Sequence, residues 1–302
     1  MQTFVDSLRG IFKYNYPLKN LNWFKVGGEA EFFFSPSDLE DLIIFLKNRP
    51  KDIPLNILGV GSNVLIKDKG VKGFVVKLNN LNDVYFLENG NIFAQCGALN
   101  ISVSNLALKG FNRKSKGGFE FLSGIPGSIG GAIAMNAGSF GREFCDICVS
   151  IKALNLDGEI VEKSCEDMGF SYRKNSIEEP LIFISAVIKG YNDDFEVVKS
   201  KIQSIKTARE ETQPKKVLTG GSTFANPTHN NPEAYKAWQL IDMVGLRGYK
   251  VGNAGFSEKH CNFIINYGDS KSSDIENLIA EAKIRVKEKF NIDLHQEIKL
   301  IG

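Results

Sequence analysis

The sequence predicts a mixed helix-and-strand protein of two or three domains, on three observations. Its 302 residues, 43% hydrophobic and 24% charged, suffice for a sizeable core in more than one domain. Short apolar runs bounded by turn residues alternate with stretches whose apolar residues recur at helical spacing. Two glycine-rich stretches, at 59–63 and 117–141, punctuate that alternation.

Taken in order, Ser37 and Glu40 form a Ser-x-x-Glu capping box opening a helix that buries Leu39, Leu42, Ile43 and Leu46. Residues 54–58, 64–66, 74–78 and 84–87 read as strands, followed by an Asn89-Gly90 hairpin turn. Residues 98–108 read as a helix stopped by Gly110. The segments 150–156 and 159–163, joined by Asp157-Gly158, make a hairpin, and 181–189 a buried strand. Phe195, Val198, Ile202 and Ile205 give 194–211 a helical period ended by Pro214, a candidate domain joint. Next come a helix over 232–244 stopped by Gly245, a strand over 261–266, and a helix opened by a capping box at Ser273 and Glu276 and reaching Phe290. The closing strand, 294–301, alternates Leu294, Gln296, Ile298 and Leu300 with His295, Glu297 and Lys299.

Composition excludes several function classes. A net charge of +2 with dispersed basic residues leaves no stripe for nucleic acid. No apolar run is long enough to span a bilayer, and the N-terminus lacks the basic cluster and apolar core of a signal peptide. Five scattered cysteines make no disulfide framework and point to a reducing cytoplasm. Three histidines supply little for a metal site or a Ser-His-Asp triad, so no metal is expected. A monomer is the default.

Gly59-Val60-Gly61-Ser62-Asn63-Val64 begins like the dinucleotide fingerprint, but the third glycine is missing and a β-branched run follows where a helix is needed. Two readings stay open: a tight turn whose N–H groups approach a phosphate, and a plain hairpin. Gly124-Ile125-Pro126-Gly127-Ser128-Ile129-Gly130-Gly131-Ala132 offers a run of N–H donors leading into a small-residue helix over 132–136, able to hold a pyrophosphate without a cation. The alternative is a packing loop; six glycines within 117–131 favour the phosphate. Cys145 and Cys148 lack a second Cys-x-x-Cys pair and read as structural thiols. In Gly220-Gly221-Ser222-Thr223-Phe224-Ala225-Asn226-Pro227 a hydroxyl sits on a glycine turn, where it could equally cap its own backbone. Tyr172-Arg173, ending a possible strand, and Glu297 are unremarkable singly.

In their order these pieces resemble the MurB family of UDP-N-acetylenolpyruvoylglucosamine reductases. The resemblance runs from about residue 20 to the end, through Phe24-Lys25-Val26-Gly27-Gly28, the two glycine blocks, Asn136-Ala137-Gly138, Ser171-Tyr172-Arg173, Gly221-Ser222-Thr223-Phe224, 237–242 and Glu297-Ile298. It implies an α+β fold of the vanillyl-alcohol-oxidase type. An FAD-binding domain over 20–192, with subdomains at about 20–78 and 79–192, would precede a substrate-binding domain over 193–302. It implies non-covalent FAD bound by Gly59, Gly61, Ser62, Asn63, Gly124, Ile125, Pro126, Gly127, Ser128, Gly130, Gly131, Ala137 and Gly138. NADPH and a UDP-sugar are the implied partners, reduction of an enolpyruvyl ether to a lactyl ether in peptidoglycan precursor synthesis the implied reaction. Arg173, Ser222 and Glu297 match the catalytic positions, and Tyr172 and Asn226 fall among those near the substrate.

The short stretch between Arg173 and Ser222 resembles the family's shorter type, without the tyrosine loop that closes over substrate. Trp23-Phe24 before Lys25, Ala225 and Thr212 depart from the family pattern, leaving Lys215, Lys216 and Lys259 as candidate phosphate partners. Two other functions compete. An oxidase of the same fold often carries flavin covalently on histidine or cysteine, and the glycine loops here hold neither. A non-catalytic nucleotide-binding regulator would have no use for Arg173, Ser222 and Glu297 together.

Overall fold

Apolar residues over both faces make Ile182–Ile188 the middle strand of a five-stranded antiparallel sheet. Its neighbours are Cys148–Leu154 and Ile92–Gln95, with Ile160–Ser164 and Val84–Phe86 at the edges. The two expected hairpins close at Gly90 and Gly158, both with positive φ, where glycine alone lacks a steric penalty. Against the sheet pack Val103 and Ala107 of the helix Asn100–Lys109 and Ile129, Ala132 and Ile133 of the short helix Ile129–Ala134.

The computed structural model describes residues 2–302, side chains from Phe4 onward. The chain divides into two units. The first comprises residues up to Lys13, Phe33–Val60 and Phe74–Arg209; the second Tyr14–Phe32, Gly61–Gly73 and Glu210–Gly302. Besides the five-stranded sheet, the first unit pairs Leu55–Leu58 in parallel with the Val71–Lys77 strand, in the register Leu55 to Phe74. Phe45 from the helix Leu39–Asn48 stacks on Phe34 and meets Phe74 edge-on. The second unit's core joins Phe24, Val26 and Leu65 to the helices Ala237–Met243 and Ser272–Phe290 and the strands Ala254–Phe256 and Ile264–Asn266. Among the described residues no helix is long and apolar enough to cross a membrane.

Several boundaries differ from expectation. The helix at Leu39 is capped by Asp38, whose carboxylate accepts from Asp41 N–H (3.0 Å), while Asp41 reaches back to Ser37 N–H (2.8 Å). The cap therefore lies one residue past Ser37, and the buried stripe becomes Leu42, Phe45 and Leu46, with Leu39 and Ile43 only half-buried. The helix expected over 232–244 starts only at Ala237. Asn231 bonds to both backbone groups of Tyr235, and Ala234 takes a left-handed φ of 52°.

The helix Ser272–Phe290 begins two residues early, with its N-cap at Lys271 instead of Ser273. Its first N–H groups, on Ser272 and Ser273, donate to the Asp68 carboxylate (2.8 and 3.2 Å), and Asp274 accepts from Lys271 N–H (3.0 Å). Burial works to raise the Asp68 pKa, but the bonds from Ser272 and Ser273 outweigh it and hold it below the usual carboxylate value. The closing strand is only Lys299–Ile301, pairing in parallel with Val64–Ile66; Leu300 is exposed, while Leu294 and Ile298 are buried as expected.

Candidate active site

In the first unit the glycine block 124–131 is clamped from one helix end. Asn100 donates its backbone N–H to Gly127 O (3.0 Å) and its Nδ2 to Ile125 O (3.2 Å), gripping both sides of Pro126. Three of the block's own donors are bonded within the protein: Ile125 N–H to Leu122 O (3.1 Å), Ile129 N–H to Ala98 O (2.9 Å) and Gly130 N–H to Cys96 O (2.8 Å). A Cβ on Gly130 would stand 2.9 Å from Cys96 Cβ and 3.1 Å from its carbonyl oxygen, so Gly130 serves close packing. Gly130→Val is accordingly expected to cost about 1–3 kcal/mol of stability by overpacking, read as a lower Tm of the apoprotein. An unchanged Tm would show that the Cys96 contact yields freely.

Gly124 is packed as well, against Ile205, Ser139 and Phe140. Gly127 adopts φ +148°, Gly131 is exposed, and Ser128 is buried between them. A Cβ on Gly59 would lie 3.0 Å from Ser128 Oγ, and one on Gly131 3.9 Å from the same atom. Thus Gly59 and the later glycine block, far apart in sequence, meet around one hydroxyl. Lys77 Nζ donates to Gly59 O (3.2 Å), a cation that no sequence pattern signalled. Backbone bare of Cβ atoms, a hydroxyl and an adjacent cation together suit an anionic group such as the pyrophosphate of FAD.

The 59–63 turn is not a plain hairpin. The strand before it pairs with Val71–Lys77, and the strand after it pairs with Lys299–Ile301. Gly61, in the second unit, has φ +73° and no room for a Cβ beside Leu21 O and Asn22; its carbonyl accepts Trp23 N–H (3.0 Å). Trp23, the departing residue, is exposed, whereas the aromatic Phe24 beside it is fully buried. Asn63 Nδ2 donates to Glu297 O (3.2 Å) and Asn63 O accepts Lys299 N–H (3.0 Å), with Ser62 between these two turn residues.

Arg173 lies in the first unit, in a tight turn and not at a strand end. Ser171 and Lys174 exchange backbone bonds (3.0 and 3.1 Å), leaving Tyr172 and Arg173 as the corner, with Arg173 left-handed at φ +60°. Its Nη2 donates to Gly138 O (2.9 Å), its Nη1 faces Glu143 Oε1 (3.5 Å), and its guanidinium carbon lies 4.7 Å from the Tyr172 ring centre. A Cβ on Gly138 would come within 3.1 Å of Nη1, so that glycine is the seat of the guanidinium. Ala137, buried beside it, returns its N–H to Ala132 O (2.9 Å) and ends the preceding helix.

Ser222 and Glu297 are brought together in the second unit. Thr223 O accepts Glu297 N–H (2.9 Å), and Phe224 bridges Gln296. On its other side the Ser222 segment is held by Asn262. The Asn262 backbone carbonyl accepts Thr223 N–H (2.7 Å), and its amide bonds both N–H and C=O of Phe224 (2.9 and 2.8 Å). Asn262, buried and essential to that geometry, carried no sequence signal. Ser222 and Glu297 are both half-buried. Asn226 accepts Ala237 N–H through Oδ1 (3.0 Å), capping the helix there. Of the candidate phosphate partners, Lys215 and Lys259 converge on Glu210, through its carboxylate (3.0 Å) and its carbonyl (2.8 Å), while Lys216 sits in a left-handed turn.

Burial pushes the Cys145 and Cys148 thiols up, with neighbouring Cys165 adding to the effect on Cys148. They are protonated at neutral pH and only half-buried. Among the described residues no group of three His, Cys, Asp or Glu is placed to hold a metal ion.

Comparison with known proteins decides the family. A family model described as an FAD binding domain matches residues 30–164, and one described as the C-terminal domain of UDP-N-acetylenolpyruvoylglucosamine reductase matches 213–301. The chain is 44% identical to the UDP-N-acetylenolpyruvoylglucosamine reductase of Rickettsia conorii over 98% of its own length and 97% of that protein. The chain belongs to the UDP-N-acetylenolpyruvoylglucosamine reductase (MurB) family. The reductase of that name from Paramagnetospirillum magneticum is likewise 44% identical, over 99% of this chain and 94% of its own. The crystal structure of the Thermus caldophilus reductase aligns with a TM-score of 0.79 at 29% identity, over 98% of this chain and all of that one. The fold is thus the expected α+β one, an FAD-binding domain followed by the reductase C-terminal domain.

Proposed function

We propose that this chain reduces UDP-N-acetylglucosamine enolpyruvate to UDP-N-acetylmuramate in peptidoglycan precursor synthesis, using non-covalent FAD and NADPH. The near full-length identity to reductases of that name carries the reading. Residues 20–192 bind the flavin and 193–302 the UDP-sugar, in a cytoplasmic monomer of the family's shorter type. Between Arg173 and Ser222 the strands Ile182–Ile188 and Tyr191–Asp193 and the helix Phe195–Thr212 occupy most of the chain, which favours that type.

Bound FAD supplies the hydride. Gly59, Ser128 and Gly131 would hold its pyrophosphate, and Gly61, Ser62, Asn63, Gly124, Ile125, Pro126, Gly127, Gly130, Ala137 and Gly138 are the other residues that would bind it. An enol ether is electron-rich and resists hydride addition until its carboxylate is polarised. Arg173 grips that carboxylate with a fork that cannot lose its proton, stabilising the charge that develops on the neighbouring carbon. Glu297 is the second catalytic group at that developing charge. Ser222 Oγ–H then protonates the carbon, and the alkoxide regains a proton through a relay to solvent. Tyr172 and Asn226 border the substrate, and Lys215, Lys216 and Lys259 are the candidate cations for its diphosphate.

The FAD-loaded protein should bleach when NADPH is added without oxygen and regain its colour when UDP-N-acetylglucosamine enolpyruvate follows. Acid precipitation should leave the flavin in the supernatant. A protein that takes up no flavin, or one bleached by NADPH that the UDP-sugar cannot reoxidise, would overturn the reading; flavin in the pellet would overturn its non-covalent part.

A further inference from the structure

The strained corner that presents Arg173 is tied to two residues outside it, Asn136 and Glu143. Asn136 is fully buried and left-handed at φ +43°, ending the helix Ile129–Ala134 in the position where glycine is usual. Its side chain makes three hydrogen bonds. Nδ2 donates to Glu143 Oε2 (2.8 Å) and to Ser171 O (3.1 Å), and Oδ1 accepts Cys145 N–H (3.0 Å). One amide thus bonds the carboxylate of Glu143 and the backbone at the base of the Arg173 turn. Glu143 is delivered by a two-residue hairpin, Gly138–Ser139 paired with Arg142–Glu143, whose corner residues Phe140 and Gly141 both have positive φ. The first strand of that hairpin supplies the Gly138 carbonyl, and the second supplies the carboxylate.

The guanidinium is therefore located by acceptors from both strands of one hairpin, Gly138 O on Nη2 and Glu143 Oε1 on Nη1. A carboxylate with one oxygen held by a buried amide cannot swing away. Its other oxygen is fixed relative to the fork, as precise grip of a planar anion requires. Neither residue is needed for the hairpin's backbone pairing.

We infer that Glu143, oriented by Asn136, is a positioning residue that sets the plane of the Arg173 guanidinium for the substrate carboxylate. The inference rests on the reading of Arg173 as the residue that grips that carboxylate.

The test uses the FAD-loaded protein and separates the two half-reactions by rapid mixing without oxygen. Glu143→Gln keeps the shape and an acceptor for Asn136 but removes the charge. It should slow reoxidation by UDP-N-acetylglucosamine enolpyruvate by about 10-fold, through misplacement of the fork. Flavin content, Tm and flavin reduction by NADPH should stay at wild-type values, and Glu143→Asp should recover part of the rate. A purely structural role would shift Tm or flavin content and would multiply with other losses. Combined with Arg173→Lys, Glu143→Gln should therefore add no further loss, because both act through one fork. Wild-type reoxidation in Glu143→Gln, or losses that multiply in the double variant, would overturn the inference while leaving the function standing. Unchanged reoxidation in Arg173→Lys alone would instead remove the underlying reading of Arg173. Should Glu143→Gln fold poorly, the Asp variant combined with Arg173→Lys supports the same comparison.

Discussion

Ser222→Ala should bind FAD and substrate, accept electrons from NADPH at close to the normal rate, and reoxidise with the UDP-sugar about 10²-fold or more slowly. The selectivity follows from how the residue is held. The Ser222 segment is fixed through its backbone by Asn262, His295 and Glu297, and none of these bonds uses the hydroxyl. Removing Oγ therefore leaves the turn in place and deletes only the proton donor, a loss of at least about 2.7 kcal/mol in the barrier. With no proton arriving, the carbanion-like substrate can return its hydride. A substrate labelled in its enolpyruvyl methylene should then scramble geometry without net reduction. Ser222→Cys should recover part of the rate, since a thiol near pKa ~8.5 is the stronger acid of similar size. Normal turnover of the alanine variant would make Ser222 a turn residue only and move proton delivery to Glu297 or water.

Arg173→Lys should lower the reoxidation half-reaction by about 10²-fold, the size of losing a preorganised donor at developing charge, while flavin reduction is spared. Lysine keeps the charge but loses the fork, so one point charge replaces two directed donors. The seat here was shaped for the fork: Gly138 O takes one Nη and Glu143 the other, over a glycine with no Cβ to obstruct them. The left-handed backbone at 173 is unchanged by the substitution, since both residues pay the same steric cost there. Equal losses in both half-reactions would mean that Arg173 supports the flavin or the fold and does not act on the substrate.

How far the site could be read from sequence depended on the range of the interaction that makes it. The hairpins at Asn89-Gly90 and at Asp157-Gly158 and the helix over 194–211 were legible because turn chemistry and apolar period act within a few residues. The stop at Gly110 was legible for the same reason. Motif order along the chain was sufficient to mark the family, and it is the ground on which Arg173, Ser222 and Glu297 are proposed. Helix starts were misplaced where the cap comes from elsewhere. Asp68 caps a helix that begins at Ser272, and Asn226 caps one that begins at Ala237, and local sequence contains no trace of either. Nor did the glycine block distinguish its donors. Gly130 and Ile129 bond inward to Cys96 and Ala98, whereas Gly59 and Gly131 flank Ser128.

The sequence by itself determined the classes: an α+β chain of the reductase family, with two glycine-rich stretches and the residue types proposed for its chemistry. Only the tertiary structure decided which of those residues are held, and by what. It put Gly59 beside Ser128, stationed Lys77 at the first glycine, pinned the Ser222 segment with Asn262 beside Glu297, and placed Asn136 and Glu143 under Arg173. The physical reason is that orientation comes from hydrogen bonds between segments distant in the chain, whose partners are chosen by packing. Residue identity reveals that a group can donate or accept; the fold alone determines where its partner stands.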